Sequence, residues 1–180
     1  MGNRKKQRRS IRLPAYDYAG GGGYFLTICT HARACLLAHV VQADIRLSEF
    51  GEIVCEEWFR TSTLRSYVTL AEDAFVVMPN HLHGVMWIDD DAVGARRGRA
   101  PASEAFGSSI PGSLATIVRA FKSVTARRIN DLRGTPGEPV WQRNYYEHVI
   151  RDDRALRRIR QYIADNPLQW ALDPENPHAR

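Results

Sequence analysis

The segment "FVVMPNHLHGVMWI", residues 75–88, constrains the fold of this chain more than any other stretch. Two apolar runs of strand-forming residues stand on either side of Pro79-Asn80, a dipeptide typical of turns. The pattern predicts a β-hairpin whose arms are Phe75–Met78 and Leu82–Ile88. Both arms are apolar enough to be buried within a sheet.

Two histidines, His81 and His83, fall at the start of the second arm, with only Leu82 between them. Since alternate residues of a strand project from one face, both imidazoles are expected on the same side of the sheet. A pair of imidazoles held side by side is half of a metal site. The alternative is two ordinary strand histidines, but their place next to a turn in an apolar strand favours the metal site.

A chain of 180 residues is most simply one domain with a sizeable core. It has no apolar run of the ~18 residues that a membrane span requires, and its charged first residues do not resemble a signal peptide. Cys29, Cys35 and Cys55 lack the paired spacing of a zinc ribbon, so we expect reduced thiols. These features predict a cytoplasmic protein with no membrane partner.

The formal net charge is +5 at pH 7, and the excess is concentrated near the N-terminus. Residues 1–23, which end in four glycines, are predicted to be a flexible basic arm. Such an arm indicates a polyanionic partner, with nucleic acid ahead of a membrane surface, and a solvated tail is the alternative. The basic residues of the arm are Arg4, Lys5, Lys6, Arg8, Arg9 and Arg12.

The rest of the chain alternates strand and helix patterns. Their order predicts an α+β, ferredoxin-like βαββαβ antiparallel sheet with helices on one face and an additional C-terminal helix. Residues 24–172 form this domain, residues 89–112 a long mobile loop within it, and residues 173–180 a tail. The predicted strands are 24–30, 67–78, 82–88 and 140–141, and the predicted helices are 47–60 with Ser48 as N-cap, 113–132, and one from Asp152 or Asp153 to Asn166, ended by Pro167.

The last predicted helix carries a phenol and an amide four residues apart, Tyr162 and Asn166. At that spacing the two side chains lie one turn apart on the same face. Leu156, Ile159 and Ile163 form an apolar stripe that can dock this helix against the sheet. If the helix docks beside the hairpin, Asn166 can offer an oxygen to an ion held by the two histidines, and Tyr162 can lie over the open coordination position.

Two blocks of the sequence resemble a known family. "MPNHLHGVMWI" resembles the His-hydrophobic-His motif of the HUH single-strand endonucleases. "VWQRNYYEHVIRDDRALRRIRQYIADNP" resembles the C-terminal block of the REP-associated tyrosine transposases, which are single-tyrosine HUH proteins of bacteria. The resemblance extends from about Arg9 to about Leu172 without the variable loop, and the presence of both blocks in this order makes it specific.

The resemblance implies a role for each matching residue. His81 and His83 are implied to bind a divalent ion, Tyr162 to be the nucleophile, and Asn166 to complete the ligand set, where wider relatives often use Gln or His. The implied reaction is cleavage and rejoining of single-stranded DNA through a 5′-phosphotyrosine and a free 3′-OH. With imidazole and amide ligands, Mg²⁺ or Mn²⁺ is the expected ion.

The implied substrate is single-stranded DNA with a hairpin, a repetitive extragenic palindrome (REP), bound near the nucleoid by a monomer or homodimer. Basic side chains outside the arm are predicted to contact phosphates, and Trp141, Tyr145 and Tyr146 to stack on bases. The basic side chains are Arg119 and Lys122 of the helix at 113–132, and Arg154 and Arg158 of the last helix.

Two other classes of function stay open on the residues alone. A non-catalytic nucleic-acid-binding module could use the same kind of sheet, although the chain lacks the aromatic motif of RNA-binding sheets. A metallohydrolase that activates water would need a carboxylate base, for which Asp165 is the nearest candidate. Tyr162 could also be a core aromatic, with Tyr145 or Tyr146 as rival nucleophiles.

Overall fold

The structure is a computed structural model, and it describes residues 21–89, 111–173 and 176. The strands are β1 (Gly22–Cys29), β2 (Ala38–Val41), β3 (Asp44–Leu47), β4 (Val68–Met78), β5 (His81–Ile88) and β6 (Tyr146–Ile150). The helices are α1 (Glu49–Leu64), α2 (Leu114–Arg133) and α3 (Asp153–Gln169), with short 3₁₀ turns at His31–Arg33 and Trp170–Leu172. None of the helices in these ranges is long and apolar enough to cross a membrane.

Three sequence predictions fall largely outside the described residues. They concern the basic arm at 1–23, the loop at 89–112 and the tail at 173–180. The predicted DNA contacts of the arm therefore have no structural account; they are Arg4, Lys5, Lys6, Arg8, Arg9 and Arg12.

Four strands form one antiparallel sheet in the order β4-β5-β1-β6, and β2 pairs with β3 in a separate hairpin. Apart from that hairpin, the element order is βαββαβ followed by α3. The predicted α+β, ferredoxin-like sheet with a C-terminal helix is thus confirmed. The hairpin of β4 and β5 turns at Pro79-Asn80 as predicted, and β4 shifts register between Leu70 and Phe75.

The two faces of the sheet carry different layers. Through Leu26 and Leu82, one face joins the large core that it shares with α1 and α2. On the opposite face, Phe25 and Val85 join a smaller core with Ile163 of α3. The two histidines alternate with Leu82 along β5, so they lie on the face that α3 covers.

The helices α1 and α2 begin at serine caps and pack closely on the sheet. The hydroxyls of Ser48 and Ser113 each accept a backbone N–H from the first turn, as expected for N-caps. Gly84 of β5 leaves room for Trp58 of α1, because a Cβ at this glycine would lie 2.3 Å from the indole ring. Trp58 therefore lies directly on the strand that carries the histidines.

The last strand differs from the prediction. It is β6, Tyr146–Ile150, and not Val140-Trp141. Trp141 makes only an isolated bridge to Thr30, and its buried indole N–H donates to Thr125 Oγ1 at 2.9 Å. The aromatic, β-branched composition of 140–141 reflects core packing, and Trp141 is too buried to stack on a base.

The end of α3 also differs. Asp152 caps the helix, but Pro167 does not end it, and the helix continues to Gln169. Two buried residues hold this part of the helix against the sheet. They are Ile163, one turn before Pro167, and Asn166, directly before it. The cost of a proline near a helix end is evidently offset by that packing.

The sequence prediction missed the hairpin of β2 and β3. Its two turn residues, Gln42 and Ala43, both have positive φ values, 52° and 68°. Two-residue turns of this kind usually contain Asn or Gly, which tolerate positive φ. Without those residues the sequence carries no ordinary hairpin signal.

Candidate metal and nucleophile site

The two histidines of β5 converge on one point. In the antiparallel register with β1, His83 lies opposite Thr27 and His81 opposite Cys29. The Nε2 atoms of the two rings are 3.1 Å apart, and the ring centroids are 4.5 Å apart. The alternation expected along a strand has therefore brought both imidazoles to a common position on the face that α3 covers.

The other ring nitrogens are held by polar neighbours. His81 Nδ1 lies 2.8 Å from Asn80 Oδ1, and the amide of Asn80 is itself oriented by donating from Nδ2 to Arg33 O at 3.3 Å. Because an amide oxygen only accepts, His81 Nδ1 carries the proton and its Nε2 presents a lone pair. His83 Nδ1 lies 2.9 Å from Thr27 Oγ1, which can accept in the same way. Such partners orient histidine ligands in metal sites.

Burial keeps both imidazoles uncharged at neutral pH. Burial lowers the pKa of His81 from its usual value of 6.5 to about 4. Of its neighbours, Asp173 raises this pKa, Arg33 lowers it, and the Asn166 side chain raises it. Burial also lowers the pKa of His83, and His81 lowers it further. Neutral imidazoles are the form that binds metal.

The donor set fits a single divalent ion. Nε2 atoms 3.1 Å apart can both contact one ion, since ordinary metal–imidazole distances are ~2.1 Å each. A side-chain hydrogen bond from Asn166 helps to raise the pKa of His81, so the two side chains are close neighbours. The buried Oδ1 of Asn166 has no partner of good hydrogen-bond geometry among the residues that the structure describes. No cluster of three His, Cys, Asp or Glu side chains suited to a metal occurs among the described residues. The buried amide oxygen of Asn166 is of a type that can serve as a third donor.

Tyr162 of α3 reaches the same place from the far end of the chain. Its hydroxyl lies 3.3 Å from His83 Nε2, although 79 residues separate the two in sequence. The rings meet edge to face with centroids 5.1 Å apart. The tyrosine side chain is 46% exposed, so it is not a core aromatic. The structure thus brings together His81, His83, Asn166 and Tyr162 in one chain.

Phe25 contacts both the candidate nucleophile, Tyr162, and the imidazole of His83. Sequence reasoning did not identify Phe25 as a site residue. Its ring stacks on His83 at 5.4 Å between centroids and meets Tyr162 edge to face at 6.0 Å. A third contact, at 6.4 Å, is made with Tyr146 of β6. Only the register of β1 against β5 and β6 reveals this central position, because Phe25 reads as an ordinary apolar strand residue.

Asp173 is a second residue that the sequence did not single out, since it was assigned to the tail. It follows the 3₁₀ turn after α3 and is 6% exposed. Its charge favours the protonated form of His81. A buried carboxylate therefore stands near the imidazole pair, in addition to the amide of Asn166.

A cavity of about 690 Å³ opens beside Tyr162, between α3 and the β1–β6 side of the sheet. Its walls include the rival tyrosines, Tyr145 and Tyr146, and also His83 and Arg158. Tyr146 is 42% exposed and lies opposite Thr27 in the sheet. The rival phenols thus face the same space as Tyr162, but the described contact with an imidazole belongs to Tyr162.

The predicted DNA-binding residues outside the arm fall in different places. Arg158 lines the cavity, and Arg154 is exposed on the first turn of α3. Arg119 is exposed on α2, on the other side of the sheet from the histidines. Lys122 Nζ donates to the carbonyls of residues 142 and 144 at 3.0 and 2.9 Å, and burial lowers its pKa to about 8. Of these four, Arg158 is the one that lines the cavity beside Tyr162.

The amino-acid sequence of this chain is similar to that of a known bacterial protein. It is 38% identical over 173 residues to an uncharacterized protein of Haemophilus influenzae, with 92% of this chain and 91% of that protein covered. No protein-family model matches the sequence.

The fold is similar to that of a solved REP-associated tyrosine transposase bound to a REP hairpin. The TM-score is 0.58 at 19% identity, covering 90% of this chain and 74% of that chain. A crystal structure of a candidate transposase from Deinococcus radiodurans R1 aligns with a TM-score of 0.45 at 19% identity, covering 87% of this chain and 97% of that one. The first of these structures establishes a shared, transposase-like fold.

Proposed function

The chain belongs to the same family as the uncharacterized Haemophilus influenzae protein, and on that premise we propose that it is a transposase-like, metal-dependent endonuclease and strand transferase. Its substrate is single-stranded DNA carrying a REP-type hairpin, and its nucleophile is Tyr162. The fold shared with a REP-associated tyrosine transposase supports this class of function. The observation that carries the proposal is the 3.3 Å approach of the Tyr162 hydroxyl to His83 Nε2.

The proposed metal site consists of His81, His83 and Asn166, with Mg²⁺ or Mn²⁺ as the ion. The convergent Nε2 atoms and the buried Oδ1 of Asn166 next to His81 support this assignment. Once bound, such an ion supplies Lewis-acid stabilisation of the negative charge that develops on the scissile phosphate. The chain's own contribution is to hold buried, neutral imidazoles that are oriented by their polar neighbours.

In the proposed reaction, Tyr162 attacks a phosphorus atom of the bound DNA strand. Attack forms a bond between Tyr162 Oη and phosphorus and breaks the bond from phosphorus to the 3′ oxygen, which leaves as a 3′-OH after gaining a proton. The phenol loses its proton to solvent, to which the side chain is partly exposed. An unperturbed phenol has a pKa of about 10, so positive charge near the site, including Arg158, favours the phenolate.

The reverse reaction explains strand transfer. The phosphotyrosine keeps the energy of the broken phosphodiester, and a different 3′-OH can attack it and release the tyrosine. No external energy source is then needed for joining. One tyrosine that is bonded to one DNA end at a time is therefore sufficient to cut a strand and then to rejoin it.

A second candidate, a metallohydrolase that activates water, is favoured by one observation. The buried carboxylate of Asp173 stands near His81, where it could take a proton from an attacking water molecule. Asp165, the base expected from the sequence, instead accepts an exposed hydrogen bond from Gln161 at 2.8 Å. Hydrolysis of this kind forms no bond between protein and DNA, so a covalent adduct separates the two candidates.

The test is to incubate the protein with labelled, hairpin-bearing single-stranded DNA and Mn²⁺, and to look for a species that survives denaturing electrophoresis. We expect an adduct in the wild type, its loss in Tyr162→Phe with DNA binding retained, and its persistence in the matched control Tyr146→Phe. Cleavage that survives in Tyr162→Phe but not in Asp173→Asn would instead support the hydrolase. An adduct that maps to Tyr146 would refute the assignment of the nucleophile.

A further inference from the structure

We propose that the cavity between β6 and α3 binds one unpaired nucleobase of the DNA strand, on the nucleotide next to the phosphate that Tyr162 attacks. This inference rests on the proposed function, since it names the part of the substrate that occupies the space beside the nucleophile. It also predicts that the protein itself reads a base at the cleavage position.

The size and the walls of the cavity suit a nucleobase. Its volume of about 690 Å³ lies within the usual range for small-ligand sites, ~300–1,000 Å³. Phe25, Tyr146 and Ile159 supply aromatic and apolar surface. Tyr146 is 42% exposed and Tyr162 is 46% exposed, and both line the cavity. Exposed rings that border a cavity offer π-faces on which a base can stack.

The opposite wall offers hydrogen-bonding groups that can discriminate among bases. Gln142 and Asn144 line the cavity, and the side-chain amide of each carries donors and an acceptor. Such amides can pair with the edges of a base that has left its stack. This wall therefore provides a chemical means of preferring one base over another.

That wall is fixed before any ligand arrives. Lys122 Nζ donates to the carbonyls of Gln142 and Asn144, and lies 5.4 Å from the centroid of the Tyr145 ring. The backbone N–H of Gln142 donates to Cys29 O at 2.9 Å. A wall tied to both α2 and β1 does not have to be ordered on binding, which favours affinity.

The charge around the cavity suits the backbone of the same nucleotide. Arg33 and Arg158 both line it, in the immediate neighbourhood of Tyr162 and His83. Arginine is well suited to phosphate oxygens, because its donors form a rigid fork. A base in the cavity would therefore have its phosphates near cationic side chains and near the nucleophile.

The first experiment measures binding without chemistry. In EDTA, the affinity of the full chain is compared for a ten-residue thymidine strand and for an abasic strand of equal length. Tyr146→Ala is expected to weaken binding of the thymidine strand about fivefold to 150-fold, the usual range for one stacked base, without changing binding of the abasic strand. Tyr146→Phe should retain the affinity, and Leu132→Ala, which removes an exposed side chain on α2, should have no effect.

Equal effects of Tyr146→Ala on the thymidine and abasic strands would overturn the inference. So would an unchanged affinity for the thymidine strand. Because the readout needs neither metal nor Tyr162, these results judge the cavity even if no covalent adduct is ever found.

The second experiment measures base preference. A REP-hairpin strand with randomised flanking nucleotides is incubated with Mn²⁺, and the DNA in covalent adducts is sequenced. We expect a preference at the nucleotide next to the tyrosine-linked phosphate, and a severalfold loss of that preference in Gln142→Ala while adducts still form. Equal use of all four bases by the wild type would refute the base pocket and leave the proposed function intact. Failure to form any adduct would refute the proposed function.

Discussion

Thr27 Oγ1 lies 2.9 Å from Nδ1 of His83, and the two residues are direct partners across β1 and β5. The sheet register therefore fixes the orientation of the imidazole whose other nitrogen faces His81 and Tyr162.

Thr27→Val should weaken divalent metal binding about 10–100-fold, the usual cost of removing the partner of a histidine ligand. The valine keeps the shape of threonine but cannot hold the Nδ1 side of His83. Calorimetric titration with Mn²⁺ measures the change, and Thr69→Val on the exposed side of β4 serves as the matched control. Equal affinities in all three proteins would show that Thr27 does not orient a ligand.

The metal-free protein should lose stability as the pH falls below about 6.5. His81 has a pKa of about 4 in the folded chain, below its ordinary value of 6.5, so the unfolded state binds the proton more readily. The contribution of His81 is complete above 6.5 and is lost progressively towards 4. At pH 5 the loss from this residue is about 2 kcal/mol.

Denaturant unfolding in EDTA at pH 7 and pH 5 measures that difference. His81→Gln should reduce the dependence on pH, whereas His39→Gln, which changes an exposed histidine of β2, should preserve it. An unaltered dependence in His81→Gln would contradict a neutral buried imidazole at this position.

Phe25→Leu should slow adduct formation on the order of 100-fold, because small displacements of reacting groups have effects of that size. The ring contacts both His83 and Tyr162, so its loss lets both move. The rate is measured in single-turnover reactions at saturating DNA. Phe59→Leu is the matched control, since Phe59 packs on Phe75 in the core on the opposite face. If both variants react equally slowly, the effect reflects general destabilisation.

Arg158→Gln should reduce the salt dependence of single-strand binding by about 0.7 in the slope of log affinity against log salt concentration, the value for one phosphate contact. Arg157→Gln, one residue away and also exposed, is the control. Lys122→Met should leave the slope unchanged, because the Lys122 ammonium is held by two backbone carbonyls. A reduced slope in Lys122→Met would instead support the phosphate contact that the sequence predicts for Lys122.

Short-range spacing predicted the parts of the site but not how all of them meet. His81 and His83 share a face because they are two apart on a strand, and Tyr162 and Asn166 because they are four apart on a helix. Each pair shares a face in any fold in which this strand and this helix form. Their meeting depended on α3 docking on the histidine face, which the apolar stripe made plausible and the family resemblance implied.

The residues that sequence reasoning missed depend on contacts between distant parts of the chain. Phe25 is central only because β1 lies between β5 and β6, and Asp173 is buried only because the chain turns back after α3. The helical pattern predicts Lys122 on an exposed basic face, but the segment before β6 packs over its side chain. No local pattern distinguishes these residues from ordinary apolar, acidic or basic ones.

The return of α3 to its own sheet has a consequence for how the protein works in dilute solution. The imidazoles of His81 and His83, the amide of Asn166 and the phenol of Tyr162 all come from one polypeptide, so a single molecule contains the complete proposed set. Turnover per molecule should then be independent of protein concentration, down to levels at which any pair of copies has separated. If the proposed function is correct, assembly of several copies would not be needed to build the reactive centre.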